Sequence, residues 1–254
     1  GDIYQANITR KFYGELPDNI NKFLMFTKLA QISPAPYSSF LQLADLHIIS
    51  SSPERFINID AAGQCNSRPI KGSAKKHTNK KEDLLTIESL KRSSKDQAEN
   101  LMIVDLMRHD MAKASKIGSV KIDELFNVTS YSKIHHLDSS ITSSKNNDCS
   151  TIEFVKNLFP AGSMTGAPKI KAMNICAELE KFQRGIYSGA LGWFGGDGSC
   201  DLSVIIRTLI ISEHKFEFQV GGAITADSKE ESEWLETKTK AAAIAQLLGI
   251  KIDP

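Results

Sequence analysis

Several absences bound what this chain can do. Cysteine is scarce: Cys65, Cys149, Cys176 and Cys200 are the only four, widely separated and with no CxxC pair. That spacing excludes a disulfide framework and a thiolate zinc site, and leaves isolated reduced thiols. No run of about 18 apolar residues occurs and no secretory leader pattern is present, so the expectation is a soluble, cytoplasmic protein. Charge of one sign is missing too, since 31 basic and 30 acidic residues give +1. There is thus no electrostatic case for a nucleic-acid or membrane-surface partner. No internal repeat of about 20–50 residues is visible. What is present is an ordinary globular composition: 254 residues, 41% hydrophobic and 24% charged, enough for one large core or two small ones. Gly1-Asp2-Ile3-Tyr4-Gln5 enters patterned sequence without an initiator Met, so the chain is expected to be a piece of something longer.

The most constrained stretch is Asn66-Ser67-Arg68-Pro69-Ile70-Lys71-Gly72-Ser73. Pro69 fixes its own φ and pushes Arg68 into an extended conformation. Gly72 permits a sharp turn or a close approach. Lys71 between them is either a solvated loop residue or an ammonium held at a defined place. In the second case a dry site or a neighbouring cation would lower its pKa and make it a nucleophile.

Hydrophobic periodicity gives the remaining elements. Residues 3–12 suit a helix end or a strand. A helix is expected over 20–29, strands over 40–43, 46–50 and 56–59, and a mobile basic loop over 74–83. A long buried helical pattern runs from about 82 to 111 with a break near Ser93-Ser94. Short strands and turns follow to 142, a loop over 143–150 and a short helix over 151–158. The run from Phe159 to Lys169 then opens a helix extending to about Lys181, with Thr165 or a neighbour as cap and Pro168 in the first turn. A glycine loop opening a helix suits an anion, but the GxxxxGK[ST] spacing of a Walker loop is absent. Three successive antiparallel strands are expected over 185–196, 202–212 and 215–221, with Ser212-Glu213-His214 turning between the last two. The last helix covers about 229–248, with Ser228 and Glu231 as a capping box.

Two helices each carry an acidic pair at i, i+3: Asp96 with Glu99, and Glu233 with Glu236. Each pair reads either as solvated helix surface or as metal ligands, one acid of each pointing inward beside the apolar turns that adjoin it. All-oxygen ligation with positions left for water suits Mg²⁺. Lys240 follows Glu233 and Glu236 on the same face at i+7. Arg207, in Ile205-Ile206-Arg207-Thr208, is a solvent-facing charge or a fork for a carboxylate. Gly221-Gly222-Ala223 presents backbone N–H groups to an anion or forms a bulge. Tyr187 reads as core or ligand, and His136 as structural or as an acid or base near neutral pH.

These motifs together resemble the catalytic part of the chorismate-utilising enzymes, and within that family most closely the aminodeoxychorismate synthase branch. The resemblance runs along nearly the whole chain: Gly1-Asp2-Ile3-Tyr4-Gln5-Ala6-Asn7, Ser33-Pro34-Ala35-Pro36-Tyr37, Ser52-Pro53-Glu54-Arg55-Phe56 and Arg68 to Ser73. It continues through Ala98 to Leu106, His135-His136-Leu137, Phe159 to Lys169, Arg184 to Gly189, Ile206-Arg207-Thr208 and Ala226 to Lys240. It departs at Ser33 and His109, where Asn is common, and at Ala223, where some relatives have Gly. The family's N-terminal half has no counterpart here.

The resemblance implies an α/β fold of antiparallel sheets flanked by helices, forming one catalytic domain over 1–254. It implies Mg²⁺ held directly by Glu99 and Glu236 with Asp96 and Glu233 nearby, and receiving the ring carboxylate of chorismate. Tyr187, Arg207 and the amides around Gly221 and Gly222 would hold the enolpyruvyl carboxylate, with His136, Ser163 and Thr165 beside the ring and Lys240 close to the metal. Relatives that add water carry a general-base Lys where this chain has Gln5, and a neutral amide cannot deprotonate water, which argues for ammonia. Anthranilate synthases have Ala where this chain has Lys71. In the aminodeoxychorismate branch that lysine attacks ring C2 and expels the C4 hydroxyl, with Glu54 as the matching acid. The expected activity is therefore amination of chorismate to 4-amino-4-deoxychorismate on the route to p-aminobenzoate and folate, with ammonia from a glutamine amidotransferase partner. The chain shows no glutaminase Cys-His context of its own. The rivals are anthranilate synthase component I and an inactive or regulatory fragment of the same fold.

Overall fold

The computed structural model describes residues 1–252. In chain order the elements are β1 (Gln5–Glu15), α1 (Lys22–Ile32), β2 (Tyr37–Leu43), β3 (Leu46–Ser52), β4 (Arg55–Ile59), β5 (Gln64–Arg68) and β6 (Ile70–Lys75). Then come α2 (Lys80–Arg92), α3 (Ser94–Ala112), β7 (Lys121–Ser130), β8 (Ile134–Ser144), α4 (Thr151–Leu158), a 3₁₀ turn (Gly162–Met164) and β9 (Gly166–Ala167). The chain finishes with α5 (Lys169–Leu179), β10 (Ala190–Phe194), β11 (Cys200–Val204), β12 (Thr208–Ser212), β13 (Lys215–Thr225) and α6 (Glu230–Leu248). The result is the expected mixture of antiparallel sheets and helices, divided into two compact units.

The first unit comprises Gly1–Pro53, Pro168–Gly189 and the chain from Ile205 onward. Its five strands run in the order β2-β3-β12-β13-β1. Alternation decides which face is buried. Along β13, Phe216, Phe218 and Val220 point one way and join Leu209, Ile211, Ile49, Met25, Leu29, Ala241 and Ile244 in a core under α1 and α6. Phe12 of β1 stacks on Phe218 across the ladder, 4.8 Å between centroids. The opposite face of β1 is polar, and Asn7 and Thr9 are bonded there by α5, through Cys176 and Glu180.

The second unit comprises Glu54–Ala167 and Ala190–Val204. Its sheet runs β10-β11-β4-β5-β8-β6, with β7 also on β8. Because β7 pairs along most of β8, β5 and β6 share the other edge one after the other. Ser67 faces Ile141 and Ile70 faces Asp138, so the register runs straight across Pro69. β5 and β6 are one strand punctuated by a proline that donates no ladder hydrogen bond. Helix α3 packs on β8 and β6, with Ile103, Val104, Met107 and Met111 buried.

Several sequence expectations are corrected. The break near Ser93 is real, and Ser93 both ends α2 and caps α3 by accepting from the Asp96 amide. Yet α3 is only half sunk, because Leu101 is 49% exposed. The basic segment over 74–83 is not all loop: it ends β6 at Lys75 and starts α2 at Lys80, with only 76–79 between them. The short strands before 142 are in fact the long β7 and β8. The stretch 202–212 is two strands in different sheets: β11 ends at Val204, Ile205 bonds to Ser188 and Gly189, and Arg207, just before β12, takes a left-handed φ of 49°. Residues 184–189 form turns, and β10 starts only at Ala190. The Ser228–Glu231 capping box is not made: Lys229 is the N-cap, and Ser228 Oγ donates instead to Glu233 at 2.8 Å. Neither does Thr165 cap α5. Its hydroxyl donates to the Gly162 carbonyl at 3.2 Å, and Pro168, extended and without a side-chain bond, is the N-cap. Among the described residues no helix is long and apolar enough to cross a membrane.

Candidate active site

In the second unit, the Lys71 segment is a strand with a bulge. Between Ile70 and Ser73 β6 advances three residues while β8 advances two, from Asp138 to His136, so one extra residue is accommodated at Lys71-Gly72. Gly72 has φ +87°, and a Cβ there would stand 2.9 Å from Cγ of Asp96. The bend therefore needs glycine for its backbone and for the close approach of α3. Gly72→Ala is expected to lower stability by about 2 kcal/mol or more from the left-handed strain alone. It should also displace the Asp96 carboxylate. Denaturant titration measures the first, and the second is read as a larger activity loss than in an equally destabilised core variant.

The same unit brings further candidates to this bend. Arg55 faces Arg68 in the β4–β5 ladder, so Glu54, 5% exposed, lies at the end of that pair from which Pro69 and Lys71 continue. His136 faces Ser73 across the β6–β8 ladder, is 2% exposed, and meets the Tyr131 ring edge-on at 5.5 Å. Its neighbour His135 points to the other side of the strand. There it is held between Ser130 Oγ (2.7 Å) and Asp83 (2.8 Å). That contact, with the His77 amide, holds the Asp83 carboxyl below its ordinary range. Of the two adjacent histidines, His136 is thus the one placed beside the bulge. Ser163 and Thr165, both buried, sit in and after the 3₁₀ turn, whose Gly162 packs against Leu106 and Met107 of α3. Asn100, fully buried on α3, accepts from Ser139 and was not among the predicted residues.

The first unit carries the candidates on α6, on β13 and in the 184–189 turn, with Arg207. Lys240 of α6 donates to the Gly221 carbonyl at 2.8 Å and pairs with Glu236 at 2.6 Å. Glu233 is the inward acid of α6, 6% exposed, and a Cβ on Gly222 would lie 3.5 Å from its Oε2. Glu236 is the outer one, with a side chain 44% exposed. On α3 of the second unit, the Glu99 side chain is 13% exposed, with Lys95 at 3.8 Å. Gly221 and Gly222 are in regular register with Thr9 and Ile8, and no bulge occurs there. Gly221 is needed because a Cβ would meet the Ile8 carbonyl at 2.7 Å. β12 leaves β13 at Phe218, so beyond that residue every second N–H of β13 faces away from β1 with no pairing to β12. Tyr187, 5% exposed, lies in the 184–189 turn. That turn is tied to Ile205 by two backbone hydrogen bonds of 3.0 and 2.9 Å, two residues before Arg207. Arg207 and Ser188 both hold left-handed φ, 49° and 68°, strain of the kind that clusters at functional sites.

Gln5 is fully buried on β1, and neither atom of its amide has a hydrogen-bond partner among the described residues. All four cysteines are free, and burial pushes the Cys65 and Cys200 thiols up to about 11. Among the described residues no group of three or more His, Cys, Asp or Glu side chains gathers into a metal cluster. The carboxylates stand as one pair per helix, and their all-oxygen chemistry fits a hard divalent cation that keeps most of its water.

Comparison with known proteins gives the family. Residues 1–246 match the profile of the family described as chorismate binding enzyme. The chain is 41% identical over 248 residues to an aminodeoxychorismate synthase of Streptomyces griseus, covering 98% of this chain and 34% of that protein. It is 40% identical over 248 residues to aminodeoxychorismate synthase component 1 of Escherichia coli, covering 98% of this chain and 54% of the relative. An anthranilate synthase component 1 of Bacillus pumilus is 35% identical over 250 residues, 98% of this chain and 48% of its own length. The crystal structure of anthranilate synthase component I from Streptococcus pneumoniae superposes with a TM-score of 0.86 at 30% identity, over 97% of this chain and 53% of that one. The chain thus spans about a third to a half of the length of these relatives.

Proposed function

We propose that this chain, which belongs to the chorismate binding enzyme family, aminates chorismate to 4-amino-4-deoxychorismate. The observation that carries the reading is Lys71 itself, set on a bulge whose Gly72 closely approaches Asp96, with Glu54 just before β4 and His136 on β8. In this reading the Lys71 amine attacks ring C2, and both conjugated ring double bonds shift as the C4 hydroxyl departs with a proton from Glu54. Ammonia then adds at C4, both double bonds shift back, and the lysine leaves C2 as a neutral amine. Covalent catalysis of this kind replaces one hard displacement by two easier ones. His136 and the Ser163–Thr165 turn lie beside the ring. Tyr187, Arg207 and the outward amides near Gly221 and Gly222 bind the enolpyruvyl carboxylate. Mg²⁺ would be held by Glu99 and Glu236, with Asp96 and Glu233 in support, and when bound it neutralises the ring carboxylate. Gln5 supports ammonia over water as nucleophile, because a buried neutral amide offers no base. Ammonia comes from a glutamine amidotransferase partner, and the four free thiols suit a reducing, cytoplasmic setting.

The test is product analysis with chorismate, Mg²⁺ and an ammonium salt. Aminodeoxychorismate is the expected product. Anthranilate instead would transfer the chain to its nearest rival, and no turnover with no Mg²⁺ binding would favour an inert fragment.

A further inference from the structure

At the C-terminal end of α5 lies an ion pair that the chemistry above does not use. Glu180 is 8% exposed, and its carboxylate is fully engaged. Its Oε1 accepts from the Thr9 amide (2.9 Å), the Thr9 hydroxyl (2.8 Å) and Arg184 Nη2 (2.7 Å), and its Oε2 from Arg184 Nε (2.8 Å). The Arg184 fork reaches further, with Nη2 donating to the Asn7 carbonyl at 2.7 Å and Nη1 to Ser188 Oγ at 3.3 Å. Its own carbonyl accepts from Gln219 Nε2 at 2.8 Å and from the Tyr187 amide at 3.2 Å. Burial works against the Arg184 charge, but the hydrogen bonds and charge of Glu180 outweigh it and raise the pKa.

One arginine therefore clamps β1, β13 and the turn that carries Tyr187. A buried ion pair adds little net stability compared with apolar packing of the same volume. What it supplies is geometry, and the turn needs it: Ser188 holds a left-handed backbone that the surroundings must enforce. We propose that Glu180 and Arg184 are positioning residues that hold the Tyr187–Ser188 turn in the shape that receives a substrate carboxylate. This rests on the reading of Tyr187 given above. Lysine cannot replace the fork, because a point charge reaches one or two of these acceptors where the planar group reaches four.

The test uses the full chain and the variants Arg184→Lys, Arg184→Ala and the near-isosteric Glu180→Gln. With chorismate varied, KM should rise on the order of tenfold in Arg184→Lys and Glu180→Gln, with kcat within about twofold, as expected when ground-state and transition-state binding are lost together. Guanidinium ion added to Arg184→Ala should lower KM again, while methylammonium should not. Amide hydrogen exchange at Tyr187, Ser188 and Gly189 should quicken in all three. An unchanged KM in both Arg184→Lys and Glu180→Gln overturns the proposal, as does a loss confined to kcat. Should the unaltered chain form no aminated product, the reading of the activity has failed. The clamp is then judged by exchange alone, and unaltered exchange at residues 187–189 in Arg184→Lys and Glu180→Gln overturns it.

Discussion

Lys71→Ala should cut aminodeoxychorismate formation by on the order of 10³-fold or more, the scale expected when a nucleophile or its acid–base partner is removed. The alanine fits the bulge, because residue 71 precedes the left-handed Gly72 and the φ +87° strain stays with the glycine. Stability should accordingly change by less than about 1 kcal/mol, the usual size for a side chain that is not a core residue. Lys71→Arg separates two roles. A guanidinium keeps the charge but is a poor nucleophile, so activity should fall as far as with alanine if the lysine attacks the ring. Steady-state kinetics with ammonium as donor reads both variants, and turnover in Lys71→Ala within about threefold of the unaltered chain would remove the covalent step. Mass spectrometry after acid quench should show an adduct of the unaltered chain at residue 71 and none in Lys71→Arg.

Removing one oxygen charge from either acidic helix should have the second large effect. Glu99→Gln or Glu236→Gln should weaken Mg²⁺ binding in the presence of chorismate by on the order of a hundredfold, as direct ligands cost at least as much as the groups that orient them. Glu231→Gln, on an exposed turn of α6, should leave it unchanged. The two glutamates start from different states. Glu99 is mostly covered, whereas Glu236 is half exposed and already paired with Lys240 at 2.6 Å. Binding through Glu236 therefore competes with that pair, and Lys240→Met should tighten Mg²⁺ binding if the carboxylate is a ligand. Calorimetry of the four variants decides. Equal affinity in Glu99→Gln and the unaltered chain would take Glu99 out of the ligand set.

Chemistry within a few residues was legible from the chain alone. Ser93 breaks the long helical pattern because its hydroxyl accepts from the Asp96 amide, a bond between neighbours in sequence. Helix α4 runs over the expected Thr151–Leu158, and Ser150 and Glu153 close a reciprocal box at its start. The two-residue turn at Glu213-His214 likewise follows from its own residues, with Ser212 facing Lys215. Candidate site residues were found by residue type on a shared helix face, as with Glu233, Glu236 and Lys240. Glu180 was passed over, although an acid four residues before Arg184 at a helix end was a visible signal.

Other features needed partners distant in the chain. Ser228 has the spacing of a capping box, yet its hydroxyl goes to Glu233, whose carboxylate is sunk beside Gly222. Residues 202–212 carry no proline or glycine to mark a break, and the change of sheet falls between Val204 and Thr208, where Ile205 bonds to the distant 188–189 turn. Lys71 looked like a loop residue because Pro69 and Gly72 flank it, whereas β8 holds both sides of that punctuation in one ladder. By itself the sequence determined which groups are available and which short segments curl or extend, because caps, turns and alternation act between neighbours. Tertiary structure alone decided which acid of α6 turns inward, what holds His135 and where a strand changes sheets, since burial and cross-strand register are set by residues far apart in the chain.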